Sequence, residues 1–307
     1  MSAATPVTSK LLERLPPVRG TYREQADLSK INWFNVGGPA EVMFRPADAA
    51  DLAFFMANKP LDVPVTVIGV GSNLLVRDGG IDGVVIRLGR GFASISYDGL
   101  DVYVGAGALN FNVVMACKQF GIAGLEFLVG IPGTIGGGLA MNAGCYGKDI
   151  AGILVEATVV DEAGVTHVLK PKDIGYVYRG NTLPEGMIFV SGVLRGEPGS
   201  QEEIEERIAA ITAKREASQP VRSRTSGSTF VNPDGGMKAW ELIDKAGCRG
   251  LVIGDAQVSE KHCNFLINRG NATAADIENL GEEVRRRVKE MFGVELHWEI
   301  KRIGKKL

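Results

Sequence analysis

The sequence predicts an α+β protein of two domains, and three observations carry that expectation. Across residues 41–195, short β-rich runs are broken by Gly, Asp and Pro, with few helical stretches and no regular strand–helix alternation. From Ser200 onward the composition shifts to charged segments of helical period. The 307 residues, 45% hydrophobic and 23% charged, are enough to bury two cores. The expected division is an arm over residues 1–20, a first domain over 21–198, a helix and linker over 199–224, and a second domain over 225–307.

Taken in order, Pro16-Pro17 makes the first 20 residues a frayed helix or a loose arm. Residues 64–69, 83–88, 101–104, 153–160, 165–169 and 187–194 read as strands. Helices are expected over 49–57 and 110–120, the second closed by Gly121 as a C-cap glycine. Ser200 and Glu203 form a capping box that opens a charged helix to about Ser218, where Gln219-Pro220 stops it. Residues 221–228 are polar and basic and read as an interdomain connection. Beyond them come a helix over 237–246, strands over 251–253 and 265–268, a second helix and a closing strand over 294–303. The second helix begins at Thr273 with Asp276 at the capping-box position. It sets Ile277, Leu280, Val284, Val288 and Met291 on one face.

The charge balance, 34 basic against 36 acidic residues for a net −2, argues against a surface built to track nucleic acid or anionic lipid. The one long weakly charged stretch, 124–144, holds Glu126, Pro132, Asn142 and many glycines, which makes it a poor membrane helix. No secretory pattern opens the chain, so the expected location is the cytoplasm. Cys117, Cys145, Cys248 and Cys263 form no CxxC pair and no metal spacing. They read as reduced, partly buried thiols, and no metal is expected. His167 and His297 show no partner pattern and are read as structural.

Glycine is the unusual entry in the composition, at 40 residues or about one in eight, nearly twice average usage. Two clusters stand out. One is Gly69-Val70-Gly71-Ser72-Asn73-Leu74, at the end of an expected strand. The other is Gly130-Ile131-Pro132-Gly133-Thr134-Ile135-Gly136-Gly137-Gly138, followed by Asn142-Ala143-Gly144. Glycine lets backbone N–H groups converge on an anion, and Ser72, Asn73 and Thr134 add neutral donors suited to a diphosphate. The plainer alternative is a pair of tight turns in a β-rich domain. Neither cluster is a P-loop, because no Gly-Lys-Ser/Thr follows, and neither completes G-x-G-x-x-G. A diphosphate-bearing ligand outside the Rossmann pattern is the remaining functional reading.

These clusters, with Asn35-Val36-Gly37-Gly38-Pro39-Ala40, resemble the UDP-N-acetylenolpyruvoylglucosamine reductase family. The resemblance continues through Tyr178-Arg179, Gly227-Ser228-Thr229-Phe230-Val231-Asn232-Pro233 and Ala239-Trp240-Glu241-Leu242-Ile243. It also takes in Ser259-Glu260-Lys261-His262-Cys263-Asn264-Phe265 and Trp298-Glu299-Ile300. It covers roughly residues 20–304 in the family's order. Departures stand at Trp33 and Asn35, at Asn181 where the family usually has serine, and at Val231 where many members have lysine. The chain resembles the form that lacks a tyrosine-bearing loop insertion.

The resemblance implies an FAD-binding fold of the vanillyl-alcohol oxidase type over 21–198 and a smaller α+β substrate-binding domain over 225–307. It implies non-covalent FAD, NADPH as hydride donor, and reduction of UDP-N-acetylglucosamine enolpyruvate to UDP-N-acetylmuramate in peptidoglycan precursor synthesis. Arg179, Ser228 and Glu299 match the family's catalytic positions: a cation for the carboxylate, a proton donor, and a carboxylate that assists at the enol. The implied cofactor contacts are Gly69, Gly71, Ser72, Asn73, Leu74, Gly130, Pro132, Gly133, Thr134, Gly136, Gly137, Asn142 and Gly144. Tyr178, Asn232, Arg222 and Arg224 are the candidate substrate contacts. The only partner expected is the small-molecule substrate, with the chain a monomer. Two other readings stay open: a flavin oxidase or dehydrogenase of the same fold, and a catalytically silent nucleotide-sugar binder. Against the first, residues 69–75 hold no His or Cys for covalent flavin.

Overall fold

The computed structural model describes residues 10–234 and 236–307. They fall into two compact units that do not follow the chain end to end. The first takes the described residues up to Ala26, with Ala40–Gly69 and Asp82–Ile204; the second takes Asp27–Pro39, Val70–Ile81 and Glu205–Leu307.

The first unit holds two sheets. A four-stranded sheet runs in the order Thr21–Asp27, Pro39–Arg45, Ile81–Arg87, Val65–Ile68. Its last two strands are parallel, with Val65 opposite Val84. A five-stranded sheet, antiparallel throughout, runs Thr166–Leu169, Leu154–Val160, Ile188–Arg195, Asp101–Gly105, Ile95–Asp98. The helix Ala49–Asn58 packs Leu52 and Phe55 against Phe44, Val84 and Ile86, and the Phe44 and Phe55 rings lie 4.6 Å apart. Each such fully buried side chain contributes about 2 kcal/mol of burial.

Residues 1–9 of the expected arm lie outside the described residues. Residues 10–20 are not loose. Leu11 is buried in the core, Arg14 grips Asp62 through both carboxylate oxygens at 2.6 and 2.7 Å, and the buried Asp51 accepts from the backbone N–H groups of Arg19 and Gly20. The second glycine cluster also differs from a simple turn, because Ile135–Met141 is a helix. Three successive glycines each cost about 1 kcal/mol relative to alanine in a helix, so propensity alone argues against it. Tertiary bonds override that cost. Ile135 N–H donates to Ala108 O, Gly136 N–H to Ala106 O, and Thr134 Oγ1 caps Gly137 N–H.

The second unit has a three-stranded antiparallel sheet, Val252–Ile253, Ala256–Val258 and Leu266–Asn268. Against it lie the helices Ala239–Lys245 and Ala274–Phe292. The capping box at Thr273 and Asp276 forms as expected, and Asp78 also accepts from the N–H groups of Ala274 and Ala275 at 2.9 Å. Ile277, Leu280, Val284 and Val288 are fully buried, but Met291 is 59% exposed. Phe292 packs inward in its place, just before Gly293 ends the helix. The early segments matter here: Phe34, Val36 and Leu75 join Phe230, Leu242 and Leu280 in one core.

Two further expectations are corrected. The closing strand is only Lys301–Ile303, parallel to Leu74–Val76. Residues 294–300 run beside the 229–231 segment instead, touching it through single bonds such as Val231 N–H to His297 O. Residues 221–228 are not a free connection, since Thr225 and Ser226 are buried and the Ser226 hydroxyl donates to Leu74 O at 3.1 Å. All four cysteines are free thiols, three of them buried, and burial pushes Cys117 and Cys263 up, the first to about 12. No helix among the described residues is long and apolar enough to cross a membrane.

Candidate active site

Within the first unit, the strand Val65–Ile68 and the helix Ile135–Met141 border a cavity of about 140 Å³. One side is backbone with little side chain, at Gly69, Gly136, Gly137 and Ala140; the other is apolar, with Leu88 and Phe189. The glycines are not equivalent. A Cβ on Gly136 would fall 2.9 Å from Ala106 Cβ, and one on Gly144 would fall 2.7 Å from Asp149 Cβ, so internal packing accounts for both. A Cβ on Gly137 would meet nothing closer than 3.8 Å, although Gly137 is exposed and faces the cavity. Internal packing does not require its bareness. Gly130 ends the turn Glu126–Gly130, and Asn110 fixes the loop beyond it, taking Ile131 O with its side chain and Gly133 O with its N–H.

The first glycine cluster is divided between the units. Gly69 belongs to the first, whereas Gly71, Ser72, Asn73 and Leu74 belong to the second. Gly71 O accepts from Trp33 N–H, and Leu74 opens the strand that pairs with Lys301.

Arg179 lies in the first unit, at the tip of a hairpin rather than along a strand. Tyr176–Val177 pairs with Gly180–Asn181, leaving Tyr178 and Arg179 as a two-residue turn. Arg179 takes a left-handed backbone conformation, φ +59°. Its guanidinium sits 4.8 Å above the ring of the exposed Tyr178. Asn142, read from sequence as a cofactor contact, is buried, and its side chain bonds to Val177 O, Asp149 and Ala151 N–H.

Ser228 and Glu299 lie on neighbouring segments of the second unit. Glu299 N–H donates to Thr229 O at 2.8 Å, so the residue after Ser228 is bonded directly to Glu299. Asn73 Nδ2 donates to Glu299 O at 3.2 Å, and Lys301 N–H donates to Asn73 O. The hydroxyls of Thr225 and Thr229, near Ser228 in the chain, are buried without a hydrogen-bond partner among the described residues. Asn232 is exposed, and its Oδ1 caps the helix Ala239–Lys245 by accepting from Ala239 N–H at 3.1 Å. Arg224 spends one N–H on Gly270 O, and Arg222 is exposed. The half-buried His262 accepts from Asn264 N–H and meets the Phe265 ring edge-on, and burial lowers its pKa. Lys261 Nζ donates to Glu216 O.

Residues 219–303 match the family described as UDP-N-acetylenolpyruvoylglucosamine reductase, C-terminal domain, and residues 40–170 match the FAD binding domain family. A UDP-N-acetylenolpyruvoylglucosamine reductase of Parvibaculum lavamentivorans is 58% identical over 98% of this chain and 97% of its own. One of Rhodospirillum rubrum is 58% identical over 96% and 93%. The chain belongs to the UDP-N-acetylenolpyruvoylglucosamine reductase family. The crystal structure of the enzyme from Thermus caldophilus superposes with a TM-score of 0.79 at 35% identity, covering 93% of this chain and 99% of that one.

Membership makes the chain an FAD-containing oxidoreductase that acts on UDP-N-acetylenolpyruvoylglucosamine in peptidoglycan synthesis. The expected fold class stands: an FAD-binding domain of the vanillyl-alcohol oxidase type with a smaller C-terminal α+β domain. The bare backbone at Gly137 and the apolar wall suit one flat portion of a cofactor with a polar edge, and at about 140 Å³ the cavity is too small to enclose the whole of it. Glycine motifs pointed to the backbone side of the cavity. Nothing in the sequence marks Ala106, Leu88 or Phe189, which read as ordinary core residues.

Proposed function

We propose that NADPH is the hydride source, that the product is UDP-N-acetylmuramate, and that Arg179, Ser228 and Glu299 manage the charge and the proton. The observation that carries this reading is the bond from Glu299 N–H to Thr229 O, which puts Ser228 and Glu299 on adjoining segments. FAD held here and reduced by NADPH would supply the hydride chemistry for the enolpyruvyl double bond. Charge then develops on the neighbouring carbon and spreads into the carboxylate. Arg179, permanently cationic, grips that carboxylate and favours the charge-rich form. Ser228 gives its proton to the carbon, and Glu299 polarises the enol and shares the proton network. A serine hydroxyl is a weak acid, so its role is confined to a strongly basic carbanion.

Gly69, Gly71, Ser72, Asn73, Leu74, Gly130, Pro132, Gly133, Thr134, Gly136, Gly137 and Gly144 line or shape the flavin site. Asn142 acts there from behind, through its buried bonds. Tyr178, Asn232 through Nδ2, and the exposed faces of Arg222 and Arg224 meet the substrate. The flavin half comes mainly from residues 21–198 and the substrate half from 225–307, with Asp27–Pro39 and Val70–Ile81 folded into the second unit. The enzyme works as a monomer in the cytoplasm, and its product supports cell shape and division.

A two-stage absorbance experiment tests the assignment. Protein is reduced anaerobically with one equivalent of NADPH, and the enolpyruvyl nucleotide sugar is then added. Ser228→Ala is expected to reduce at the wild-type rate and to lose the substrate-driven return of the oxidised flavin band. Unimpaired return would remove Ser228 as proton donor, and return that needs air would favour an oxidase.

A further inference from the structure

We propose that Asn181 and Asn142 are positioning residues for Arg179, together fixing its guanidinium relative to the flavin cavity. The proposal rests on the assignment of Arg179 to the substrate carboxylate made above.

The hairpin that carries Arg179 cannot hold itself. It has two residues in each strand, too few to be stable in isolation. Its tip places Arg179 in a left-handed conformation that a bulky side chain adopts only under constraint. The base is closed by Thr182 N–H, bonded to Gly175 O. Each strand is then tied by one asparagine. Asn181 Nδ2 donates to Ala140 O at 2.8 Å, while its Oδ1 accepts from Leu183 N–H at 3.0 Å. On the other strand, Val177 O accepts from Asn142 Nδ2 at 3.2 Å, and Asn142 is locked by Asp149 and by Ala151 N–H at 3.0 Å.

Both tethers end at one place. Ala140 lies in the last turn of the helix Ile135–Met141, and Asn142 is the residue that closes it, φ +43°. That same helix lines the cavity with Gly136, Gly137 and Ala140. The element that bounds the flavin site therefore also sets the height and direction of the arginine hairpin. A side chain that must meet a carboxylate with two guanidinium nitrogens at once tolerates little displacement, and a shift of about 1 Å costs up to about a hundredfold in rate. Asn181 and Asn142 hold that shift down without touching the substrate.

Asn181→Asp isolates the tether, since it keeps the acceptor for Leu183 N–H and removes the donor to Ala140 O. In anaerobic stopped flow, NADPH is expected to reduce the variant's flavin within about twofold of wild type. Reoxidation by saturating substrate is expected to slow by between about tenfold and about a hundredfold. In an Arg179→Ala background the same change is expected to add nothing. An equal slowing in that background, or an equal slowing of both half-reactions, overturns the positioning role. Wild-type reoxidation in Arg179→Ala alone would instead sink the assignment of Arg179 itself. The exchange of substrate-induced flavin spectral change between variants gives a second readout, because a displaced guanidinium alters it at equilibrium. Should Asn181→Asp fail to fold, Asn181→Leu reads the same cycle with a neutral side chain of similar size that cannot donate to Ala140 O.

Discussion

Arg179 occupies a conformation that glycine or asparagine would take more easily, at the tip of a hairpin with two residues per strand. Strain of this kind costs about 1–2 kcal/mol and persists where surrounding bonds over-determine it. From sequence, nothing local around Tyr178-Arg179 signals a positive φ at arginine. The residue itself was legible through its motif; the geometry that aims it was not. Arg179→Lys is expected to slow substrate-driven flavin reoxidation by between about tenfold and about a hundredfold, the loss of one charge-assisted bond of about 1.5–3 kcal/mol. Rapid mixing of reduced enzyme with substrate measures it, and a wild-type rate would remove the need for a planar, two-pronged cation.

The helix Ile135–Met141 shows where local reading fails and why. Capped helices such as Gln201–Ser218 and Ala274–Phe292 announce themselves, with Ser200 and Glu203 or Thr273 and Asp276 bonded reciprocally at their starts. The glycine helix has propensity against it and stands on bonds to Ala106 and Ala108, which no window of sequence contains. Likewise residues 294–300 have strand composition but face an irregular loop, so only Lys301–Ile303 completes a ladder. Gly137→Ala separates the two roles of that glycine. With no atom closer than 3.8 Å to the new Cβ, the flavin-free protein should gain about 0.5–1 kcal/mol in thermal unfolding. The same methyl group intrudes on the cavity, so flavin affinity, read by equilibrium dialysis, should fall. Unchanged flavin affinity would place the cofactor elsewhere.

The interleaving of the chain between two units was not legible in the sequence, because hydrophobic pattern identifies what is buried and says nothing about the core it joins. The stretch Val70–Ile81 is held in the second unit by the Leu74–Val76 pairing with Lys301–Ile303 and by a buried ion-pair network. Glu278, 4% exposed, accepts from Arg77 Nε and Nη2 at 2.9 Å and from Arg302 Nη1 at 3.2 Å. Hydrogen bonding from Arg77 holds its carboxyl below the ordinary glutamate range. Because the folded pKa is depressed, the contribution is complete above the unfolded value of about 4.3 and fades as pH falls through the folded one. Glu278→Gln should therefore cost about 3 kcal/mol in denaturant titrations at pH 7, with the gap from wild type closing in acid. A gap that stays constant to pH 3 would assign the loss to packing instead of charge.

The backbone passes between the two units five times, at residues 26/27, 39/40, 69/70, 81/82 and 204/205. During synthesis, Phe34 and Val36 emerge early but find their core neighbours Leu280 and Val284 only when the chain is nearly complete. Those apolar residues must wait, uncovered, through most of translation. Folding of the second unit is thereby governed by long-range closure, which slows it and exposes it to aggregation and to chaperone capture. A fragment beginning at Glu205 would lack Phe34, Val36 and Leu75, so the second unit cannot be lifted out as a module or exchanged between relatives by a single cut.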